Sequence, residues 1–405
     1  MTRGAVLFVS VSLVAGLGGT AMSLAAAIWV MTLTGSSALA ALASFFVFAP
    51  TLLGPLLGAL VDRAPVRPVL LTSNLVLAGL LMTLVAVDDA GDVWHIFAVM
   101  LAYGVSYIVV DAAEARLVVA TIPRDSLGTL NGFRLGTQEA TKLVAPLVGA
   151  GLFVVAGGGA VAALAAGCLA IGAILYLLVP ARPEAMQAAQ AAQAGGRRRV
   201  WTDIAAGLRY VRSEPLVWRP VIVASVAMVA SGVATAGLYG VVDEALQRPP
   251  AFLGVLSSIQ GGAAIVAGLL VGWLMTRLKG EAPVGLLGGG VFALGCLAHA
   301  TGWLPATLVG SALVGLGLPW AVVAAMTAVQ RHTPPAMLGA VTGSASMLVF
   351  APPALGLPLG AGLVSAVDYH VPLVLAIGLA VGVVVQVARQ GVRLRPGVSS
   401  ETVRS

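Results

Sequence analysis

The sequence predicts an all-α membrane protein whose twelve transmembrane helices form two pseudo-symmetric six-helix bundles. Three observations lead there. Of 405 residues, 59% are apolar and 9% charged, where soluble globular domains run at about 45–50% and about 25%, and the mean hydropathy is +1.01. Twelve apolar runs are each long enough to cross about 30 Å of hydrocarbon at about 1.5 Å per helical residue. A pattern in the first half of the chain returns in the second at offsets of 211 and 214 residues.

In order, the runs are residues 5–31, 37–61, 68–87, 93–120, 130–154 and 159–180, then 217–241, 251–276, 283–303, 305–329, 338–365 and 370–389. In lipid only helices or closed barrels satisfy every backbone N–H and C=O, and the two-residue alternation of barrel strands is absent, so these spans are helices. The first run is too long for a signal-peptide core and leads straight into the second, so it is retained as a span. An even number of spans puts both termini on one side. Of the 22 Lys and Arg, 18 fall at the termini or in the even-numbered connections, which makes that side cytoplasmic and the protein a multi-pass resident of the cytoplasmic membrane. Six acids (Asp88, Asp89, Asp92, Asp243, Glu244, Asp368) collect on the other side, with Arg248.

The net charge of +6 is therefore topological, and nucleic acid is not an expected partner. Two Cys in apolar runs exclude a disulfide scaffold, and four scattered His offer no metal-binding spacing. No Gly-x4-Gly-Lys-Ser/Thr phosphate loop is present, so no cofactor is expected and the proton gradient is the expected energy source.

The longest connection divides the spans six and six. Residues 1–180 are expected to form the N-terminal bundle, 181–216 a cytoplasmic linker, 217–390 the C-terminal bundle and 391–405 a disordered cytoplasmic tail. The linker reads as a flexible Gln/Ala- and Gly/Arg-rich stretch, followed by an amphipathic helix. Ile204, Leu208 and Val211 lie on one face of that helix and bases on the others, so it should rest on the membrane surface. The repeat is carried by Pro123, Leu127, Gly128 and Gly132 against Pro334, Leu338, Gly339 and Gly343, and by Gly149 to Leu152 against Gly360 to Leu363. A looser match sets Gly58 and Arg63 against Gly272 and Arg277. Duplicated bundles facing each other make a central cavity and can rock about it.

The loop after the second span, Gly58-Ala-Leu-Val-Asp62-Arg63-Ala-Pro-Val-Arg67, is similar to the signature Gly-x3-Asp-Arg/Lys-x-Gly-Arg-Arg/Lys of the major facilitator superfamily. Gly58, Asp62 and Arg63 fit, Arg67 fits near the end, and Pro65 stands where Gly is usual. The resemblance implies transport by alternating access, with this loop as a latch that closes the cytoplasmic side in one state. An Asp at a helix end can accept from neighbouring helix amides and pair with a cation. Arg116, near the cytoplasmic end of the fourth span, is the expected partner of Asp62. Span five carries Ala145-Pro146-Leu-Val-Gly149-Ala150, which resembles the Gly-Pro-x-x-Gly-Gly motif of antiporters through Pro146 and Gly149. Residues 34–38 and 201–216 look like the exporter branch that holds enterobactin and macrolide efflux proteins. Many of those relatives have an acid in span one where Gly18-Gly19-Thr20 stands here.

Charges inside spans are the most informative residues, because each costs at least about 2.5–3.5 kcal/mol if left facing lipid. Span four holds Asp111, Glu114 and Arg116, and span five holds Glu139 and Lys142, with Arg134 nearer the surface. Asp111 and Lys142 are each about 15 Å in from the cytoplasmic end, near the midplane. These six groups form either a balanced structural network or a proton relay, with Asp111 and Glu114 as first-choice carriers ahead of Glu139, which has Lys142 as a local partner.

The second half has no comparable interior charge. Tyr239, Gln260 and Trp320 are its candidate cavity residues, and one charged wall facing an apolar, aromatic one suits an amphipathic or lipophilic organic molecule. The pairs Gly54/Gly58 and Gly268/Gly272 are expected to permit close helix approach, and prolines such as Pro50, Pro352 and Pro353 to fix curvature. The expectation is a monomeric, proton-coupled exporter of a drug, siderophore or secondary metabolite. Its rivals are an importer or facilitator and, more distantly, a polytopic membrane enzyme.

Overall fold

The structure is a computed structural model that describes residues 3–61, 64–122, 124–180, 200–334 and 337–393, all of it helices, turns and bends. The first half contains α1 (Arg3–Thr34), α2 (Ser37–Phe48), α3 (Gly54–Val61), α4 (Val66–Thr83), α5 (Val93–Thr121) and α6 (Arg124–Leu178). The second contains α7 (Val200–Ser213), α8 (Pro215–Gly240), α9 (Phe252–Arg277), α10 (Glu281–Ala300), α11 (Leu304–His332), α12 (Leu338–Phe350), α13 (Pro353–Ala366) and α14 (His370–Arg393). Among the described residues the expected flexible stretch of the linker and most of the tail are not represented; α7 is the amphipathic helix.

Local chemistry explains the breaks. Pro50 has no N–H to donate, and the chain tightens into a 3-10 turn over Ala49–Leu53 between α2 and α3, which together make one crossing. Pro352 and Pro353 interrupt the eleventh crossing in the same way, between α12 and α13. Pro146 and Pro319 sit inside continuous helices. Ser36 caps α2 by accepting from the Leu39 amide at 3.3 Å, and Glu214 caps α8 through the Leu216 amide at 3.3 Å.

The long α6 is two arms joined at Gly157, whose φ of 77° and ψ of 177° belong to no helix. Both arms flank α1: Gly16 packs on Thr141 of the first arm and Gly18 on Cys168 of the second. Among the described residues ten helical segments are long and apolar enough to cross a membrane. Counting the two arms of α6 separately, and α2 with α3 as one, the described residues make twelve crossings. The repeat is visible in the backbone: Ile122 ends α5 and Thr333 ends α11 with the same φ of −102° and ψ of 130°.

Among the described residues the apolar packing shared by the two halves lies at one end. At the far face, opposite Arg3 and Arg393, one apolar cluster draws on both halves: Ile28, Met31, Ala40 and Ala150 pack with Ala236, Tyr239, Leu253 and Ala361. At the terminal face each half keeps its own cluster, one around Phe8, Leu70, Leu117 and Val179 and one around Val211, Val221, Val329 and Val341. The seam between α6 and α9 follows this division. Gly254 lies against Ala150 and Pro146, and Gly261 against the Lys142 and Leu143 backbone, whereas Gly268 and Gly272 have open space beside them. The contact thus ends within two helical turns, about 10 Å.

Gly54/Gly58 and Gly268/Gly272 do not mediate the close approach their spacing suggests, because among the described residues no neighbour lies beside them. Close packing is made instead by glycines such as Gly104 on Val47, Gly149 on Ala21 and Gly288 on Gly317.

The turn at Gly157 gives a clean test, since both Gly157 and Gly151 have room for a methyl group. Gly157→Ala should cost about 1–3 kcal/mol through backbone strain alone, and Gly151→Ala, mid-helix, should be neutral or stabilising by up to about 1 kcal/mol. Thermal unfolding in detergent should show a lower Tm only for the first. Equal Tm values would mean that residue 157 does not reverse the chain in this conformation.

Candidate functional site

Glu114, on α5, is 6% exposed, so its carboxylate needs partners. Arg134 on the first arm of α6 brings a guanidinium nitrogen to 2.8 Å, and Tyr176 on the second arm donates its hydroxyl at 2.7 Å. Arg134 in turn donates through Nε to Ser12 of α1 at 3.1 Å. Its Nη2 faces Glu114 Oε1 as a charge contact rather than as a directed hydrogen bond. Four helical segments are tied together by this one buried ion pair.

Asp111 lies one turn before Glu114 on α5 and is exposed. Among the described residues it makes no ion pair, although Arg134 and Tyr107 are within electrostatic reach. Tyr107, a further turn back, is 64% exposed. On α6, Glu139 and Lys142 pair with each other at 2.6 Å, with Lys142 mostly exposed. A carboxylate and an ammonium left open within apolar spans must face water rather than lipid, and the parting of the two halves supplies that space. Lys142 fixes its depth, since its backbone meets Gly261 where the seam ends.

The six interior charges therefore do not form one network. Arg134, which its position along the chain puts near the surface, is the half-buried partner of Glu114, held by Ser12 while Tyr176 donates to the same carboxylate. Arg116 belongs elsewhere: it is 5% exposed and donates to the carbonyls of Val61 at 2.7 Å and Ala64 at 3.3 Å. Those carbonyls flank Asp62 and Arg63, which lie outside the described residues, as does the expected Asp62–Arg116 pair. Arg67 donates to the Val179 carbonyl at 2.5 Å and so ties the start of α4 to the end of α6. Gly58 has open space beside it.

Pro146 and Gly149 sit at the seam. Gly149 abuts Ala21 of its own half, while the Pro146 carbonyl and Ala150 meet Gly254 of the other half. Of the three cavity candidates, two face elsewhere. Tyr239 is buried in the far-face cluster and hydrogen-bonds Ser44 across the halves at 3.2 Å. Trp320 donates to the Ala267 carbonyl at 3.1 Å and packs on Val284 and Ala324 inside its own bundle. Gln260 is half-buried beside Gly261, at the depth where the seam ends.

Ser12, Tyr107, Tyr176 and Ser44 give little signal in the sequence, being single polar residues in apolar runs. A second ionic knot, also outside the expectations, ties the terminal face of the second half. Arg331 meets Glu281 at 2.8 Å and His332 lies 3.6 Å from it. Tyr210 of α7 donates to the His332 carbonyl at 2.6 Å. Along the interface, Leu52 faces Leu208, Met347, Leu348, Ala351, Pro352 and Leu355 across an apolar crevice of about 230 Å³.

Two duplicated helical bundles, sealed at one end and parted at the other around exposed charge, have the build of a membrane transporter. The family model of the Major Facilitator Superfamily matches residues 8–242 and again 234–402. The chain belongs to that superfamily and is a transporter rather than an enzyme. Among curated proteins, none matches the sequence. Solved structures similar to it include the nucleoside transporter NupG, at 15% identity and TM-score 0.72 over 96% of this chain and 99% of that one. A POT family transporter in complex with a thioalcohol-conjugated peptide is 11% identical, with TM-score 0.73 over 97% of each chain. A bacterial homologue of the iron transporter ferroportin, in an inward-facing state, is 13% identical, with TM-score 0.69 over 96% of this chain and 98% of that one. At such identities the likeness speaks for the fold alone.

Breaking the buried pair from one side should be costly. Arg134→Gln is expected to lower stability by about 3–5 kcal/mol, because it strands the Glu114 carboxylate. The double variant Glu114→Gln/Arg134→Gln should recover most of that loss in thermal unfolding. A silent Arg134→Gln would remove the pair from the list of structural supports.

Proposed function

We propose that the protein is a proton-coupled exporter of small amphipathic or lipophilic organic compounds, working by alternating access. The observation that carries this reading is Asp111: a carboxylate exposed in the gap between the halves, one turn from the buried Glu114–Arg134 pair. A group so placed can exchange protons with the water that reaches it, whereas Glu139 is held by Lys142. The crowd of Lys and Arg at the terminal face makes that face cytoplasmic and the open gap inward-facing. Export is favoured by the antiporter-like stretch at the seam and by the likeness of residues 34–38 and 201–216 to drug and siderophore exporters.

Alternation then requires the terminal halves of the crossings to close while the far-face cluster opens. Asp62, Arg63 and Arg116 are the proposed latch of the closed state, with Asp62 accepting from the Arg116 guanidinium. Gly58, Gly272 and Gly343 have open space beside them in the present state and provide room for that closure.

Two experiments test these points. Expression in a drug-sensitive host should raise tolerance to at least one lipophilic compound, and a protonophore should abolish the gain. Asp111→Asn should remove it, and Glu139→Gln should keep it; greater sensitivity on expression would mean import instead. Gly343→Leu should leave the Tm unchanged and lower flux in reconstituted vesicles by at least about tenfold, because its side chain fits only the open gap. Normal flux in that variant would refute closure through this face.

A further inference from the structure

We propose that Asp111 and Tyr107 form a recognition site for organic monocations, so that the transported class is lipophilic cations. The proposal deepens the export reading and rests on the gap being the transport cavity.

Charge is the first argument. At this depth the wall holds three acids, Asp111, Glu114 and Glu139, against two bases, Arg134 and Lys142. Both bases are committed: Arg134 to Glu114 at 2.8 Å and to Ser12 at 3.1 Å, and Lys142 to Glu139 at 2.6 Å. The remaining cation of α5, Arg116, is turned to the carbonyls of Val61 and Ala64. The facing half brings no compensation, since its acids and bases sit near the ends of its helices. One negative charge is left over, on Asp111, in a cavity with low-dielectric walls. A carboxylate there gains more from a mobile cation than it would in open water.

Geometry is the second. Tyr107 and Asp111 are four residues apart on α5, so ring and carboxylate share a face. Both are exposed, and neither makes a hydrogen bond among the described residues. A carboxylate beside an accessible aromatic face suits a quaternary or delocalised cation, which takes charge neutralisation from one and cation–π attraction from the other. Gly104, one turn before Tyr107, packs on Val47 and Pro50, which brings Tyr107 beside the Ala49–Leu53 turn. Leu52 of that turn lines the apolar crevice of about 230 Å³ with Met347, Leu348 and Leu355. Cation recognition and apolar surface therefore adjoin across the Ala49–Leu53 turn.

The test uses two probes of one shape and opposite charge, tetraphenylphosphonium and tetraphenylborate, in equilibrium binding to the purified full-length protein in detergent at neutral pH. Tetraphenylphosphonium should bind, and tetraphenylborate should not exceed the detergent background. Asp111→Asn should weaken the cation at least about tenfold. Tyr107→Leu should weaken it about two- to fivefold, with Tyr107→Phe close to wild type. Both side chains are exposed, so the variants should keep the wild-type Tm, which is measured alongside. Equal binding of the two probes, or wild-type affinity in Asp111→Asn, overturns the proposal. Since no gradient is present, a protein that binds the cation but moves nothing in vesicles contradicts export alone. A protein that exports neutral compounds and ignores the cation contradicts this inference alone.

Discussion

A carboxylate enclosed among helices in lipid needs a counter-charge, and the pairing of Glu114 with Arg134 meets that need for the first half of the molecule. Taking one ion out of water costs several kcal/mol, and only close partners return it. Here the partners come from α1, α5 and both arms of α6, through Ser12, Tyr176 and Arg134. The pair therefore acts as a rivet as much as a charge site. It also consumes the nearest guanidinium, which leaves Asp111 without a fixed partner although it lies one turn away. The chemistry available to the gap follows from that inequality between two neighbouring acids on one helix.

The second constraint is where the halves touch. Apolar residues of both halves merge at the far face, and the helices that make this joint continue past it without contact. The joint between α6 and α9 ends near Gly261, and α2 and α13 share the far-face cluster through Ala40 and Ala361. Proline removes a backbone donor at each break, at Pro50 and Pro352, so the helical hydrogen bonding of both crossings is interrupted there. The antiporter-like stretch lies inside this joint, with Gly149 facing its own half and Pro146 and Ala150 facing the other.

The terminal face is organised separately in each half. Arg116 and Arg67 fasten loop and helix-end carbonyls in the first, and Glu281, Arg331 and His332 gather in the second, with α7 anchored through Tyr210. These contacts stay within their own halves. Each bundle can then move as a body, as a rocking mechanism requires.

Much of this was legible in the sequence, and the physical reason is the solvent. Lipid demands helices of a fixed minimum length and makes stray charge costly, so the crossing number, the repeat and the presence of Asp111, Glu114, Glu139 and Lys142 as charges inside spans can be read from one dimension. Pairing cannot. Arg116 can be matched to the loop after the second span from its place along the chain, whereas only the packing of α5 against α6 gives Arg134 to Glu114. The same holds for Tyr239 and Trp320, whose side chains could have faced the gap but are taken up by the far-face cluster and by a carbonyl. Glycine spacing likewise allows close approach without saying which partner arrives, and Gly268 and Gly272 meet none in this state. Local composition settled what must be buried in lipid; which groups meet depended on contacts between residues tens to hundreds of positions apart, and those exist only once the bundles have assembled.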